Sequence, residues 1–512
     1  MKKYNIAWII VDSVRNYHSH DDRSKLRIMD KLAENGIEFE NVVTSAPSTV
    51  MSISSMMTSI PAYFIGRNYN DFRFDNKFFV SLSNILKNHG WTSRALLMHP
   101  DIREKLTVFD LVEKKYWPKS FSHKDWWDNS KIFELLKNTL KIDGNSKPDK
   151  PIFWFLDFNC RKDAQTSNIV EDSIKLFNQY GYNNENTIFI LCSDHGYPDP
   201  NTGITPEYLK RNKLTHDMFM TDDNIMIPLI LTYPACKEGI KIDNLCSSLD
   251  IMPTILDLLE INVEKDIKDK WYGKSLINLI NSEKLDNLEN RRVRVDARFL
   301  GQKDRVTAIR EQKHKLVVYH DQKQFELFKI EPKPKIENKI SINDNDELYK
   351  SLLEEFNKIE NSAIELQIKY TIYKIEEKFK DADSVKKILI INNQVSTLKD
   401  ILREALVKIF TNSIIEIKTV IDLNNQNNFN ENCDLLFVLD NNSNVLSKKI
   451  LKKIKYKKMF FVDINMNVSI KTGMIWRFFK TMYYNRKFYF QEPTLIIWKV
   501  LKSIKLIYNK IT

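Results

Sequence analysis

Four short apolar runs, Ile6–Val11, Pro151–Leu156, Thr187–Cys192 and Ile227–Thr232, are each bounded by polar or turn residues. Between them, Lys25–Asn35, Val80–His89, Ser130–Leu140 and Asn168–Tyr180 carry apolar residues at helical spacing. Runs this short and apolar throughout suit strands buried on both faces, and strands alternating with helices build a largely parallel sheet. The pattern predicts an α/β fold.

A chain of 512 residues exceeds one ordinary core, at roughly 100–200 residues per domain. The segment FKIEPKPKIENKISINDN, Phe328–Asn345, is polar, charged and interrupted by two prolines, and reads as the end of a first domain, 1–345. A helix near Glu347–Phe379 then acts as a linker, 346–380. A second α/β pattern follows, with strands at Lys386–Asn393, Ile414–Ile421, Cys433–Asp440 and Lys457–Ile464 and helices at Leu398–Phe410 and Val445–Ile454. It predicts a small Rossmann-like domain, 381–470, without a glycine turn or a visible catalytic cluster, suited to scaffolding or interaction. Asn424–Asn432 reads as a surface loop.

Glycine is scarce, with 11 residues, the closest two being Gly196 and Gly203. No G-x-G-x-x-G, G-x-S-x-G or Walker loop can be present, which excludes readings that rest on those fingerprints. The five cysteines, Cys160, Cys192, Cys236, Cys246 and Cys433, are odd in number and widely spaced, as reduced thiols would be. The N-terminal apolar run is six residues long and closed by Asp12, too short for a signal-peptide core, and no 18-residue apolar stretch occurs. Cytoplasmic residence is the expectation.

Lys and Arg exceed Asp and Glu by 11, yet Lys471–Thr512 alone holds nine Lys/Arg against Glu492. On a helix the apolar residues Ile496, Ile497, Val500, Leu501, Ile504, Ile507 and Tyr508 fall opposite Lys499, Lys502, Lys505 and Lys510. The tail 471–512 is therefore a candidate for an anionic membrane surface, peripheral to its inner face, or for docking onto the second domain. No nucleic-acid module accompanies its basic and aromatic residues, and nothing in the sequence fixes an oligomeric state.

Functional groups in such sheets collect beyond the carboxyl ends of the strands. Asp12 follows the first strand, and Asp194-His195 follows Thr187–Cys192. A lone Asp there can be a helix cap, but with Asp-His at a second strand end the three are candidate metal ligands. His216 adds an imidazole before the next strand. The hydroxyl-rich segment Ala46–Ser59 fits either a helix capped by Ser48 or Thr49, with Met56 and Met57 in the core, or a source of a nucleophile.

The blocks NIAWIIVDSVRNYH, IMDKLAENGIEFENVVTSAPSTVMSISSMMTS, TIFILCSDHG, IPLILTYPACKEGIKIDNLCSSLDIMPTILDLLEI and YGKSLINLI occur in the order found in the sulfatase family of the alkaline-phosphatase-like superfamily. The chain resembles that family over roughly Lys3 to Glu360, most weakly from Asn70 to Lys150. The resemblance implies an alkaline-phosphatase-like domain and a divalent metal held by Asp12, Asp194 and His195, with Thr49 as both ligand and nucleophile at a helix start. Such a helix N-terminus suits an anionic substrate. Arg161 and Lys162 would contact the oxyanion, Arg15 would orient Asp12 or touch substrate, or else pair within the first helix, and Lys213 would contact substrate. His216 would contact metal or substrate, or serve as general acid for the leaving group, while His18 and His20 read as surface residues.

Departures from the pattern matter as much. Sulfatases proper carry Cys or Ser in C/S-x-P-x-R for oxidation to formylglycine, whereas here Thr49-Val50-Met51-Ser52-Ile53 lacks the oxidisable residue, the proline and the arginine. Ser13 stands where many sulfatases have a second Asp. Asp157 is followed four residues later by Arg161 where two-metal members have histidine, so one ion is expected, Ca²⁺, Mg²⁺ or Mn²⁺ by its oxygen ligands, with Zn²⁺ allowed by the imidazole. The expectation is a metal-dependent hydrolase of sulfate or phosphate esters acting without formylglycine on a small molecule, a glycan or a lipid-linked head group. The alternatives are a phosphoethanolamine-type or other phosphoryl transferase, and a degenerate sulfatase-fold binding protein.

Overall fold

The computed structural model describes residues 1–19, 23–61, 78–97, 128–146, 150–160, 163–202, 204, 210–212, 215–281, 291–298, 305–332, 335–376, 387–392, 397–409, 414–419, 431–439, 454–462 and 468–470. The chain divides into two compact units, one built on Met1–Glu377 and the other on most of the chain after it.

In the first unit, β1 (Asn5–Asp12), β2 (Ile37–Val43), β3 (Thr92–Leu96), β4 (Ile152–Asn159), β5 (Thr187–Cys192), β6 (Met226–Thr232), β7 (Ile240–Ile242) and β8 (Cys246–Ser247) form one sheet. Its order is β3-β4-β1-β5-β6-β2-β7, with β8 beside β2. β3, β4, β1 and β5 run parallel, whereas β6 runs antiparallel to both β5 and β2. All four apolar runs of the sequence are thus strands of this sheet.

The helices of this unit include α1 (Arg27–Glu34), α2 (Thr49–Thr58), α3 (Leu82–Asn88), α4 (Asn129–Ser146) and α5 (Asp163–Gln179). Ala7, Ile9 and Val11 of β1 and Trp154, Leu156 and Phe158 of β4 share one core with Ile28 and Met29 of α1, Leu135 of α4 and Phe177 of α5. Side chains alternate across a strand, so this packing turns Ile10 and Asp12 to the opposite face. The carboxyl ends of β1 and β5 then carry Asp12 and Asp194 side by side.

A second, antiparallel layer comprises β9 (Val293–Asp296), β10 (Val306–Arg310), β11 (His314–Tyr319), β12 (Gln324–Pro332) and β13 (Lys335–Ile340), in the order β13-β12-β11-β10-β9. Val295, Ala308 and Val317 pack on Val43, Ile225 and Met226 of the first sheet's side. Ile309, Leu316 and Leu327 pack on Leu352 and Phe356 of the long helix α6 (Asp346–Glu376). The polar segment 328–345 is itself largely paired, because β12 and β13 form a hairpin in which Pro332 lies opposite Lys335. Pro332 is the last residue of β12, beside the edge strand β13, where a missing ladder N–H is tolerated.

In the second unit, β14 (Lys387–Asn392), β15 (Ile414–Thr419), β16 (Glu431–Leu439), β17 (Ile454–Val462) and β18 (Val468–Ile470) form a sheet in the order β15-β14-β16-β17-β18. The first four are parallel and β18 is antiparallel, and helix α7 (Thr397–Ile409) falls between β14 and β15 in the sequence. The helix expected at Val445–Ile454 lies outside the described residues up to 453, and residue 454 begins β17. The basic tail 471–512 also lies outside them. No helix among the described residues is long and apolar enough to cross a membrane.

Candidate functional site

Asp12, Asp194 and His195 meet at the carboxyl ends of β1 and β5, with one ligand atom of each lying within 4.8 Å of the others. His195 Nε2 is 3.6 Å from Asp12 Oδ1 and 3.4 Å from Asp194 Oδ2. Thr49 Oγ1 joins them at 3.3 Å from the same nitrogen. His195 Nδ1 lies 2.7 Å from the Gly196 carbonyl oxygen, which can only accept, so Nδ1 carries a proton. In that tautomer Nε2 turns its lone pair toward the two carboxylates, as a metal-ligating imidazole does.

The carboxylates tell the same story. Asp194 Oδ1 accepts the backbone N–H groups of Ser13 at 3.0 Å and His195 at 2.8 Å, while Oδ2 is buried with no hydrogen-bond partner. Burial raises the Asp194 carboxyl above its ordinary value, and the Asp12 charge adds to this against the pull of His195. For Asp12 burial also works upward, but His195, Arg23 and the Ser13 hydroxyl outweigh it and leave this carboxyl below its usual range. Two carboxylates this close resist joint ionisation without a positive centre between them. Donor atoms 3.3 to 3.6 Å apart suit one ion with bonds of roughly 2.0–2.5 Å, so the residues present fit a divalent metal.

Serine and threonine hydroxyls fix this geometry. Ser13, at φ 62 in the left-handed region, turns its N–H to Asp194 and its hydroxyl to Asp12 Oδ1 at 2.8 Å. Ser193 Oγ lies 2.6 Å from the His195 carbonyl and 2.7 Å from that of Val11, tying β1 to the Asp-His turn. Ser52 Oγ donates to the Asp194 carbonyl at 2.7 Å, and Thr44 Oγ1 reaches the same oxygen. Gly196 permits the turn to close on Asp223, because a Cβ there would stand 2.1 Å from the Asp223 carbonyl oxygen.

The hydroxyls of α2 sort themselves by partner. Those of Ser54, Ser55 and Thr58 bond back to carbonyls of their own helix, and that of Ser52 holds the Asp194 carbonyl. Thr49 Oγ1 is the α2 hydroxyl that faces His195 Nε2. Thr49 is the first residue of α2, and Ser48 before it, in extended conformation, makes no side-chain cap. The helix therefore opens toward the site with N–H groups that no serine cap has taken.

His216 comes to the site by stacking. Its ring lies 4.9 Å from that of His195 at 28°, and the ring of Tyr197 lies 5.2 Å from it on another contact. Its Nε2 is buried without a hydrogen-bond partner. Burial first, and then the neighbouring His195, hold the imidazole down to about 4, so it is neutral near pH 7 and carries no stored proton.

Arg15 is placed by the loop that follows the Asp-His turn. It is fully buried, and its guanidinium donates to the carbonyls of Tyr197 at 2.7 Å and Pro198 at 3.2 Å and to Ser19 Oγ at 2.9 Å. These bonds tie it to the 197–199 loop. Arg161, Lys162 and Lys213, and likewise His20, lie outside the described residues. His18 pairs on the surface with Asp30 at 2.9 Å. Cys160, Cys192 and Cys246 are buried free thiols and Cys236 a partly exposed one. The sequence reading missed Arg23, which returns to Asp12 at the far end of the loop after β1; only its place in that loop could have pointed to it.

The family model described as Sulfatase matches residues 4–158, and that described as N-sulphoglucosamine sulphohydrolase, C-terminal, matches residues 213–362. Arylsulfatase K of Homo sapiens is 29% identical over 109 residues, which are 20% of this chain and 18% of that protein, so the match spans under a fifth of the relative's length. Among solved structures, the phosphonate monoester hydrolase of Silicibacter pomeroyi is similar with a TM-score of 0.53 at 11% identity, over 70% of this chain and 95% of its own. A protein solved in complex with its substrate, D-glucosamine-2-N,6-O-disulfate, is similar with a TM-score of 0.54 at 15% identity, over 71% and 98%. At these identities the structural likeness speaks to the fold. The Sulfatase model runs from β1, which ends in Asp12, through Thr49 at the start of α2 to β4, the second model covers the antiparallel layer, and by these matches the chain belongs to the sulfatase family.

Proposed function

We propose that this chain is a metal-dependent hydrolase of sulfate or phosphate monoesters that uses Thr49 directly as its nucleophile. The observation that carries the reading is the Thr49 hydroxyl 3.3 Å from His195 Nε2, at the opening of α2, beside a carboxylate pair with a buried, unpartnered oxygen. Family membership supports ester hydrolysis, and the neighbour bound to a sulfated glucosamine supports an anionic ester on a sugar as substrate.

A divalent ion bound by Asp12, Asp194 and His195 would lower the pKa of a ligated hydroxyl and offset charge on the transferred group. The chain's own residues do the rest. Thr49 Oγ attacks sulfur or phosphorus in line, the alcohol leaves with a proton, and water then hydrolyses the threonine ester to regenerate the hydroxyl. The N–H groups at the start of α2 face the anionic oxygens. Neutral His216, stacked on His195, is available as a hydrogen-bond donor to the departing oxygen.

Metal binding is testable without turnover. Chelator should lower the thermal midpoint of the purified protein, and Mn²⁺, Ca²⁺ or Zn²⁺ should restore it, by about 2.7 kcal/mol at a hundredfold excess over Kd. Metal analysis should return one ion per chain, and Asp194→Asn should remove it. A midpoint indifferent to chelator and to all three metals would count against the reading.

A further inference from the structure

Five contacts close into a ring at the mouth of the site. His195 Nε2 lies 3.6 Å from Asp12 Oδ1, the His195 ring stacks at 4.9 Å on His216, and His216 meets Tyr197 at 5.2 Å. The Arg23 guanidinium covers the Tyr197 ring at 5.0 Å and donates to the Asp12 backbone carbonyl at 3.3 Å, which completes the circuit. The loop after β1 is folded back to permit this, with Arg15 N–H donating to the Arg23 carbonyl at 3.0 Å and Lys25 N–H to that of Tyr17 at 2.9 Å. Tyr197 is held from behind by Arg15, whose Nε donates to its carbonyl.

The charge arithmetic of the site asks for a cation at this place. Asp12 and Asp194 together balance one divalent ion, and α2 carries no charged residue. An incoming sulfate or phosphate ester brings one or two further negative charges. Arg23 brings a guanidinium to the site, its Nη1 3.3 Å from the Asp12 carbonyl oxygen and its plane over the Tyr197 ring that packs on His216. Stacked on an aromatic face, a guanidinium is held flat, and its five donors form a planar fork that suits a tetrahedral oxyanion.

We propose that Arg23, presented by Tyr197 over Asp12, is a substrate-binding residue that contacts the anionic oxygens of the ester group and restricts the site to negatively charged esters. The proposal rests on the ester-hydrolase reading above for the identity of that group. Its chemistry is shared by sulfate and phosphate esters, and relative effects on the two distinguish them.

The test compares the metal-loaded full chain with Arg23→Gln and Arg23→Lys. Binding of inorganic phosphate is read by calorimetry, and turnover of aryl sulfate and aryl phosphate by steady-state kinetics. Loss of a charge-assisted fork should raise the phosphate Kd and the KM for both esters about 10- to 100-fold, with kcat changed less. The dependence of kcat/KM on ionic strength should flatten in Arg23→Gln. Arg23→Lys should recover part of the loss, since it keeps the charge without the fork. Metal content and thermal midpoint should stay at the wild-type level, which a merely structural role would not allow. Wild-type Kd and KM in Arg23→Gln, or equal loss in Gln and Lys variants with metal lost, would overturn the proposal. If the wild type turns over neither ester yet binds phosphate through Arg23, the anion contact stands and the hydrolase reading falls.

Discussion

Thr49→Ala removes turnover while leaving the fold and metal content in place: kcat should fall on the order of 10³-fold or more, as when other hydroxyl nucleophiles are deleted. The structural cost is small because the side chain is at the first position of α2 and Oγ1 is engaged with His195 Nε2 alone among the contacts described. The helix keeps its apolar anchors, Val50, Ile53, Met56 and Met57, all buried. Thr49→Ser should retain a measurable fraction of the rate, since a primary hydroxyl stands at the same point. Steady-state kinetics together with a thermal melt decide the matter. Retained activity in the alanine variant at an unchanged midpoint would remove Thr49 from the mechanism.

The second large effect lies in the layer behind the site. Asp222 is buried, receives a double contact from Arg310 with distances of 2.9 and 3.2 Å, and lies 3.1 Å from the fully buried Lys315 ammonium. Lys315 also contacts Glu337 Oε1 at 2.5 Å and the Met220 carbonyl at 2.6 Å. This network fastens β10, β11 and β13 to the segment that carries His216. Burial pushes the Asp222 carboxyl up, but Lys315 and Arg310 together drive it well below the carboxylate range. Asp222→Ala removes the carboxylate that buried Arg310 pairs with, leaves Lys315 with Glu337 alone, and should destabilise the protein by about 3–5 kcal/mol in denaturant unfolding.

Glu337 behaves oppositely. Burial raises it to about 7, even against the pull of Lys315, because Asp222 already holds that charge. A carboxyl raised on folding favours the native state while it is protonated, below its unfolded value near 4.3, and that contribution is lost as pH rises through about 7. Asp222, lowered on folding, contributes above an unfolded value near 3.9 and is lost only in acid. Glu337→Gln should therefore cost little at pH 7 and flatten the stability profile between about 4.5 and 7. A loss as large as that of Asp222→Ala would contradict this division of charge.

The large sheet was legible because its strands are continuous apolar runs. Ile6–Val11 and Thr187–Cys192 need no partner to be recognised, and their carboxyl ends point to Asp12 and Asp194. The antiparallel layer β9–β13 was not legible. Its strands alternate apolar and charged residues over short spans, as in Val293-Arg294-Val295-Asp296, yet the charged ones are buried as well, and they pair in part with residues distant in sequence, Arg294 with Glu360 and Arg310 with Asp222. Pro332, within the polar segment that reads as a domain end, closes β12 opposite Lys335 of β13. At the site, motif order carried Thr49 and His195 to neighbouring places, but the destinations of Arg15 and Arg23 depend on how one loop folds back. Spacing alone ranks Arg15, three residues after Asp12, above Arg23, and the fold buries the first and brings the second to the rim.

The central claim is tested most directly by hydrolysis of matched aryl sulfate, phosphate monoester and phosphodiester substrates with the purified full-length chain. Each is assayed with chelator and again with Mn²⁺, Ca²⁺ or Zn²⁺ restored. The account predicts turnover of a sulfate or phosphate monoester that chelator abolishes and one of these metals returns. Turnover indifferent to chelator, or none with any of the three metals on any of the esters, would contradict it.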